Sequence, residues 1–366
     1  MQLQGKGFFI WKIVDCEGGN PAAIADQAAQ SKFTHVLIKI ADGVNNANVD
    51  AGTSFDRVPG VVQALRQKGI SPWGWHYVYG NNPQGEAAKA IQRLQATGLD
   101  GYVIDAEVEY TQSGKAAAAR SFMAAMRSAY PNLPMALSSY RYPSYHPQLP
   151  WQDFLNECDY NMPQVYWEQA HNPAVQLNRT VQEFQALTPF RPVIPTGPTY
   201  KVSGWQPTNS DITEFLNLAL SLNLSGVNFF SWDECRRDLP GLWTTIHDYG
   251  YAIASQPKDL PQQLIDALNT RNPGMVAGLY NSNAVHVTAA RTIQGAEALK
   301  AWYASLFGQV LPNATFTLKG SSANGSIRTL VWEATSNAGR VLDGSDTLGV
   351  VENKISYHYS FFTITK

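Results

Sequence analysis

The sequence is poor in charge and has no long apolar run. Only 15% of its 366 residues are charged, and 27 basic against 29 acidic residues leave a net charge of −2. A nearly neutral chain has no electrostatic basis for binding nucleic acid or an anionic membrane, so neither is an expected partner. No stretch approaches the roughly 20 apolar residues of a transmembrane helix, so no membrane span is expected.

Cysteine is also scarce. Cys16, Cys158 and Cys235 are too few for a disulfide framework and lack the spacing of a metal site. Cys16 and Cys235 follow what we predict as the first and last strands of a barrel, so a bridge between them is open, although buried free thiols are the favoured interpretation. The histidines of residues 1–253 have no second histidine or cysteine three or four residues away, so no metal site is expected. No cofactor is expected either.

Two further signals are missing. The first six residues lack the apolar stretch of a signal peptide. The protein is therefore expected to be cytoplasmic, or to be secreted or held in the cell envelope if a leader precedes this sequence. Ser138 and Ser139 lie outside any Gly-x-Ser-x-Gly elbow, which argues against a serine hydrolase.

Aromatic residues are abundant. The chain has 10 Trp, 17 Tyr and 15 Phe, and charge-poor aromatic surfaces suit stacking on neutral ligands such as sugars. For any single ring, packing in the core is the favoured alternative.

A strand-then-helix unit recurs about eight times in residues 1–253, which predicts an α/β fold with a (β/α)8 TIM barrel. No Gly-rich phosphate loop follows the first strand, which argues against a doubly wound open sheet. The predicted strands are 7–15, 35–41, 72–79, 101–107, 134–140, 159–167, 192–197 and 226–232. The predicted helices are 21–32, 58–68, 85–97, 115–130, 151–156, 175–187, 211–222 and 239–249.

The pattern changes after a predicted linker at 254–258. Residues 259–366 begin with predicted helices at 260–269, 273–280 and 295–307. Alternating segments at 314–320, 326–335, 340–351 and 355–365 then predict an antiparallel sheet. Helices followed by strands indicate a small α+β domain.

The most informative segment is the fourth predicted barrel strand, which ends in Asp105 and Glu107. Side chains two residues apart on a strand share a face, so the two carboxyl groups are expected side by side. A barrel carries its active site at the C-terminal ends of its strands. Two adjacent carboxyl groups there suit glycoside chemistry, in which one protonates the leaving oxygen and the other stabilises positive charge on the sugar.

The barrel resembles the family 25 muramidases. The residues that carry this resemblance are Val14-Asp15, Val36-Leu-Ile-Lys-Ile-Ala-Asp-Gly43, Trp73-Gly-Trp-His-Tyr77, Ile104-Asp-Ala-Glu107 and Pro163-Gln-Val-Tyr166. The resemblance implies hydrolysis between N-acetylmuramic acid and N-acetylglucosamine. It also implies that Glu107 is the general acid, that Asp105 is its partner and that Asp15 lies on the floor of the site.

The barrel is also similar to the family 18 chitinase-like proteins. Asp100-Gly-Tyr-Val-Ile-Asp-Ala-Glu107 resembles that family's strand four, with Val103 in place of its middle Asp, and Phe229-Phe-Ser-Trp232 resembles its strand eight. That resemblance implies that Asp105 orients the substrate's N-acetyl group and that Glu107 protonates the leaving oxygen. Both families therefore imply the same two roles.

Other residues at predicted strand ends are expected to bind the saccharide: His76, Tyr79, Tyr140, Gln164, Tyr166, Trp232 and Asp233. For His76 a satisfied inner histidine is an equal alternative. For Tyr166 and Trp232 the alternative is packing in the core. For Asp233 and Glu234 the favoured role is a salt bridge at the rim with Arg236 or Arg237, and binding of substrate is the alternative. Glu17 is expected to be exposed to solvent.

Residues 259–366 resemble the NTF2-like (SnoaL-like) cone, through 264–272, 276–280, 284–287, 295–307 and the closing hairpin. Such a cone implies a pocket between sheet and helices. The side chains expected to face it are Tyr280, His286, Trp302, Trp332, Asp343 and His358. The resemblance implies an accessory or ligand-binding role, and dimerisation through this domain is an open alternative.

The sequence therefore predicts a glycoside hydrolase whose partner is a polysaccharide or oligosaccharide with N-acetylated sugars, most plausibly peptidoglycan. Two alternatives stay open. The barrel is a non-catalytic carbohydrate-binding module, or the function lies in a small ligand held by the C-terminal pocket.

Overall fold

The computed structural model describes residues 3–251, 259–352 and 354–366. The chain divides into two compact units, Met1–Ile253 and Ala254–Lys366. The predicted linker at 254–258 lies outside the described residues.

In the first unit, eight parallel strands close into a barrel, which confirms the predicted α/β class. The strands are β1 (Gly5–Ile10), β2 (Phe33–Asp42), β4 (Ser71–Val78), β5 (Gly101–Ala106), β6 (Met135–Tyr140), β7 (Tyr160–Gln164), β8 (Thr196–Pro198) and β9 (Gly226–Phe230), and the two-residue β3 (Asn45–Asn46) pairs antiparallel with β2. Their order is β1-β9-β8-β7-β6-β5-β4-β2, and β1 pairs with β2 to close the ring.

Helices follow the strands and surround the barrel. They are α1 (Pro21–Gln30), α2 (Val58–Gln67), α3 (Pro83–Thr97), α4 (Lys115–Ala129), α5 (Trp151–Leu155), α6 (Pro173–Gln185), α7 (Asn209–Ser221), α8 (Trp232–Asp238) and α9 (Pro240–Asp248). Several begin at a side chain that caps the first turn, as Asn20 does for α1 and Thr208 for α7.

The barrel strands are apolar runs because both of their faces are buried. Successive side chains alternate between a small inner cluster and a larger cluster beneath the helices: Phe9, Trp75 and Val103 lie in the first, and Phe8 and Ile104 lie in the second. This alternation decides which side chains reach the mouth of the barrel.

Several strands end earlier than the sequence predicts, and β1 and β9 bear most directly on the predicted site. β1 ends at Ile10, and residues Ile13–Asp15 form a short 3-10 helix in which the side chain of Asn48 caps the amide of Ile13. β9 ends at Phe230, and Trp232 is the first residue of α8. Because strand alternation ends with the strand, it does not apply to the predicted site residues that follow.

The second unit packs helices on a six-stranded sheet. The helices are α10 (Leu260–Asn269), α11 (Pro273–Ala277) and α12 (Ala296–Ser305), and the strands are β10 (Tyr280–Thr288), β11 (Thr292–Gln294), β12 (Thr315–Asn324), β13 (Ile327–Ser336), β14 (Gly339–Val351) and β15 (Lys354–Phe361). The sheet order is β11-β10-β15-β14-β13-β12. The four predicted segments, β12 to β15, pair antiparallel as expected. The sheet as a whole is mixed because β10, which was not predicted as a strand, runs parallel to β15. Tyr280, predicted to end a helix, begins β10 instead.

In the described parts of both units, no helix is both long and apolar enough to cross a membrane.

Candidate functional site

The mouth of the barrel brings Asp105 and Glu107 together. Asp105 is the inward-facing residue of β5 after Val103, and only 7% of its surface is exposed. Glu107 follows the end of β5 and is half-buried. The deeper carboxyl group is therefore Asp105 and the more accessible one is Glu107.

One side-chain amide joins the two carboxyl groups. Gln164, the last residue of β7, donates from its Nε2 to Asp105 Oδ1 at 3.0 Å and to Glu107 Oε1 at 2.8 Å. The hydroxyl of Ser138 lies 3.4 Å from the same nitrogen. Burial first, and then the negative charge of Glu107, raise the pKa of Asp105 well above its usual range. The pair can therefore keep a proton at a pH where an exposed carboxyl group would have lost it.

Two adjoining cavities open beside this pair. A cleft of about 90 Å³ is lined by Phe9, Asp105, Glu107, Ser138, Gln164, Tyr166 and Phe230. A second cavity of about 240 Å³ is lined by Tyr140, Arg141, Tyr142, Tyr145, His146, Gln164, Tyr166 and Glu168. Gln164 and Tyr166 line both, so the cavities share a wall. In the second, the ring of Tyr140 stacks on His146 with 3.5 Å between centroids.

A buried lysine supplies positive charge to the barrel mouth. Lys39 of β2 is 6% exposed, and its Nζ lies 4.8 Å from the ring centroid of Trp75 and 5.2 Å from that of Trp11. The same Nζ forms a 2.7 Å ion pair with Asp42. Although burial pushes the pKa of Asp42 up, hydrogen bonds from Lys39 and Tyr79 outweigh it and lower that pKa. Tyr79, predicted to bind substrate, is thus held by Asp42 through a 2.7 Å hydrogen bond from its hydroxyl and lines neither cavity.

His76, also predicted to bind substrate, has no exposed surface. Its Nδ1 lies 2.8 Å from the hydroxyl of Tyr102 and its Nε2 lies 2.8 Å from the carbonyl oxygen of Gly43. The prediction of a substrate contact was wrong because alternation along β4 turns His76 toward the helices and turns Tyr77 toward the mouth. Tyr77 was missed, and its hydroxyl donates to Glu109 at 2.9 Å. The sequence signal that could have identified Tyr77 is its spacing of two residues from Trp75, which places both side chains on the same face of β4.

We expect the barrel to lose stability as the pH falls from 6.5 toward 4, partly because of His76. Burial lowers its pKa from 6.5 to about 4, so between these values the unfolded chain binds a proton that the folded chain does not. This effect removes about 3 kcal/mol across the window. Urea unfolding at both ends of the window should show a smaller loss for His76→Gln. His35, whose pKa is lowered in the same way, keeps titrating and leaves a residual slope. An unchanged slope in the variant would contradict this account.

Asp15 is exposed in the 3-10 helix after β1 and lines neither cavity. Its placement on the floor of the site was wrong because β1 ends five residues earlier.

Trp232 is not a sugar platform. Its ring is fully buried between the barrel strands and the surrounding helices. The centroid of the ring lies 4.7 Å from that of Trp243 and 6.0 Å from that of Phe8. The ring that reaches the cleft from β9 is Phe230, which the sequence analysis missed. Asp233 is 6% exposed, and its Oδ1 has no hydrogen-bond partner within the described ranges.

The expected rim salt bridges also differ. Arg236 pairs with Glu17 at 2.7 Å, so Glu17 is half-buried rather than exposed to solvent, and Arg237 pairs with Asp238 at 2.7 Å. The three cysteines are buried and free, in agreement with the favoured interpretation. Among the residues that the structure describes, no cluster of three or more histidine, cysteine or acidic side chains could hold a metal ion.

The C-terminal unit collects most of its predicted pocket residues. His286, Trp302, Trp332 and His358 line a cavity of about 20 Å³, and the hydroxyl of Tyr280 lies 2.5 Å from His358 Nδ1. Asp343 was predicted there wrongly: it is exposed on β14 and accepts hydrogen bonds from Thr363. The acid that lines the cavity is Asp346. Asp343 and Asp346 lie three residues apart, so strand alternation places only one of them inside.

Comparison with known proteins bears on this unit. Residues 262–358 match the family model of the SnoaL-like domain, and the C-terminal unit therefore has a SnoaL-like/NTF2-like fold. No curated protein matches the chain. Dimerisation through this unit stays a prediction.

Solved structures similar to part of the chain include an NTF2-like protein of unknown function from Cytophaga hutchinsonii. It is 17% identical over 29% of this chain and 88% of its own, with a TM-score of 0.25. Another is a protein with a ketosteroid isomerase-like fold from Catenulispora acidiphila in complex with trimethylamine. It is 17% identical over 29% of this chain and 86% of its own, with a TM-score of 0.27.

Proposed function

We propose that the barrel is a glycoside hydrolase that acts on a polysaccharide with N-acetylated sugars, and that peptidoglycan is its preferred polymer. The observation that carries this proposal is the amide of Gln164, which hydrogen-bonds both Asp105 and Glu107 at the barrel mouth. Barrel enzymes hold their catalytic groups at this end. Glycoside hydrolysis requires two carboxyl groups in different environments, because one must be protonated while the other is ionised. The resemblance to muramidases supports peptidoglycan as the polymer.

In the proposed mechanism Glu107 is the general acid. It lines the cleft and is more accessible than Asp105, so it is the carboxyl group that reaches the glycosidic oxygen. When Glu107 transfers its proton to the leaving oxygen, the C–O bond to the sugar breaks and positive charge develops at the anomeric carbon. For this step the proton that burial favours on Asp105 passes to Glu107, so Asp105 is ionised when it stabilises that charge or orients the acetamido group of the substrate. A water molecule then adds to the anomeric carbon and returns a proton to Glu107.

The closeness of the two carboxyl groups supports charge stabilisation by Asp105 over the activation of a water molecule on the opposite face of the sugar. An oxygen of each carboxyl group lies within 3.0 Å of one nitrogen. Inverting glycosidases separate their two carboxyl groups by about 6.5–9.5 Å to leave room for water.

Aromatic rings are the proposed positioning groups. Phe230 and Tyr166 line the cleft, and their ring centroids lie 6.3 Å apart. Tyr140 extends the aromatic lining into the neighbouring cavity. Such rings can stack on the apolar faces of sugars while hydrogen-bonding groups such as Gln164 set orientation.

Release of reducing ends from purified peptidoglycan and from chitin oligosaccharides tests the proposal. We expect release from peptidoglycan. Binding of either saccharide without release would favour the alternative of a non-catalytic carbohydrate-binding barrel. If the folded protein neither binds nor cleaves either one, the proposal is wrong.

A second candidate function is small-ligand binding in the C-terminal pocket, and one specific observation favours it. Several buried polar atoms at the 20 Å³ cavity have no hydrogen-bond partner among the described residues: both ring nitrogens of His286, Nε1 of Trp332 and Oδ1 of Asp346. An unpaired buried polar group costs about 1–3 kcal/mol. The 20 Å³ cavity has room for about one water-sized guest, and a guest that donates to Asp346 and accepts from Trp332 would relieve this cost.

The surrounding side chains hold these groups in place. The hydroxyl of Tyr303 lies 2.5 Å from that of Tyr280, which in turn lies 2.5 Å from His358 Nδ1. His358 Nε2 lies 3.2 Å from Asp346 Oδ2, and the rings of His286 and His358 stack with centroids 4.0 Å apart. The pocket is thus organised by a chain of polar contacts and not by apolar packing alone.

We expect His286→Phe to stabilise the C-terminal unit by about 1 kcal/mol, because phenylalanine keeps the ring and removes two unpaired polar atoms. Burial, followed by repulsion from His358, lowers the pKa of His286 to about 2, so no charge is lost at neutral pH. Native-state hydrogen exchange on the full chain would measure the change. The matched control is His358→Phe, which loses the hydrogen bond between His358 Nδ1 and the hydroxyl of Tyr280 and should be destabilising. Destabilisation by both variants would contradict this account of the pocket.

A further inference from the structure

The cavity beside the carboxyl pair contains an arginine without a counterion. Arg141 follows the last residue of β6 and lines the 240 Å³ cavity. In the described part of the barrel, only Arg141 and Arg191 among the arginines lack an ion pair. The guanidinium of Arg191 instead donates to the carbonyl oxygens of Leu155 and Asn156. Arg141 is thus the arginine whose charge faces a cavity without a carboxylate bound to it.

One edge of the Arg141 guanidinium carries a donor that no described residue binds. Its Nη1 donates to the carbonyl oxygen of Tyr166, whereas its Nε is buried and has no hydrogen-bond partner in the described ranges. Nε shares an edge with Nη2, and this edge can bind both oxygens of a carboxylate. Arg57 uses the same edge on Asp50, with Nε and Nη2 at 2.7 and 2.6 Å from the two carboxylate oxygens.

The other charged groups near the cavity already have partners. The exposed carboxylate of Glu168 accepts a hydrogen bond from the hydroxyl of Tyr200. Arg179, which stacks on the rings of Tyr142 and Tyr145, pairs with Glu183 at 2.8 Å. Burial lowers the pKa of His146, which favours its neutral form. Arg141 is therefore the group best placed to recognise negative charge.

We propose that Arg141 is a specificity-determining residue that binds a carboxylate on the saccharide, so that the polymer is acidic rather than neutral. This inference rests on the proposed saccharide function of the cleft. The shared walls formed by Gln164 and Tyr166 place Arg141 one cavity away from the carboxyl pair, where a neighbouring substituent of the bound polymer would lie. A neutral polymer such as chitin would leave Nε unpaired as it is in the free protein, so it would not gain the affinity of this contact.

The test measures binding by the non-cleaving Glu107→Gln full-length protein. The probes are soluble glycan fragments of peptidoglycan and the same fragments after chemical reduction of their carboxyl groups to alcohols. We expect the carboxylate form to bind about 10- to 100-fold more tightly, as for a hydrogen bond to a charged group. Adding Arg141→Met should remove this preference, and Arg141→Lys should keep part of it, because charge remains but the two-pronged contact is lost.

The control is Arg66→Met, also added to Glu107→Gln. Arg66 pairs with Asp100, which precedes β5 and lies at the opposite end of the barrel. This variant should keep the full preference. If Arg141→Met weakens both probes equally, Arg141 only supports the backbone at Tyr166 and the inference is wrong. Equal binding of both probes without the Arg141 substitution overturns the inference but leaves the proposed function standing. Failure to bind any saccharide overturns both.

Discussion

Glu107→Gln is expected to reduce release of reducing ends from peptidoglycan by about 10²- to 10⁴-fold, the range ascribed to a general acid. Glutamine keeps the size of the side chain, and its amide oxygen can still accept the hydrogen bond that Gln164 donates to Glu107 at 2.8 Å. What the variant loses is the proton for the leaving oxygen. The loss should therefore fall on kcat, with KM and the thermal unfolding of the barrel nearly unchanged.

The matched control for this prediction is Glu109→Gln. Glu109 follows Glu107 by two residues and is also half-buried, but its carboxylate accepts from the hydroxyl of Tyr77 and lines neither cavity. Burial, followed by the hydrogen bond to Glu109, raises the pKa of Tyr77, so the tyrosine remains a donor. We expect less than about a tenfold loss of kcat in the control. The assignment of Glu107 as acid fails if Glu109→Gln inactivates the enzyme and Glu107→Gln does not.

Trp232→Ala is expected to destabilise the barrel by about 3–5 kcal/mol, the cost of removing a large aromatic side chain from a core. Its ring is fully buried between β1 and α9, where it contacts Phe8, Phe33 and Trp243. The variant also leaves Glu17 without the hydrogen bond that Trp232 Nε1 donates at 3.3 Å. Equilibrium unfolding in urea would measure the loss.

Phe230→Ala separates a structural role from a binding role. Phe230 is half-buried, lies two residues before Trp232 and lines the cleft. Its replacement should weaken binding of the saccharide more than it lowers stability. If Trp232→Ala instead weakened saccharide binding in a barrel of unchanged stability, the tryptophan would belong to the site after all.

Much of the fold was predictable because it depends on short-range patterns. Apolar runs buried on both faces mark the strands, and amphipathic segments mark the helices, so the eight-stranded barrel and the α+β character of the second unit could be read directly from the chain. The same local rule turns Asp105 inward on β5, whereas Glu107 lies beyond Ala106, the last residue of that strand, so alternation alone does not place it beside Asp105.

The partners of that pair needed more than local pattern. Gln164 was expected near the mouth, but its bonds to both carboxyl groups depend on how β7 and β5 are positioned across the barrel. Because side chains alternate along β4, Tyr77 faces the mouth of the barrel and His76 does not. Arg141 belongs to no sequence motif. That its Nε lacks a hydrogen-bond partner can be recognised only once the positions of the surrounding groups are known.

By itself, the sequence determined the eight strand–helix units of the barrel, the class of both domains and the inward-facing position of Asp105 on β5. The tertiary structure decided where strands stop and which buried polar groups find partners. Trp232 shows the first point, since β9 ends at Phe230 and the next turn directs the indole into the core. Asp346 illustrates the second point, since it lines the C-terminal cavity and its buried Oδ1 has no hydrogen-bond partner among the described residues. Alternation is a property of neighbouring residues, whereas chain reversal and hydrogen-bond satisfaction depend on residues far apart in sequence.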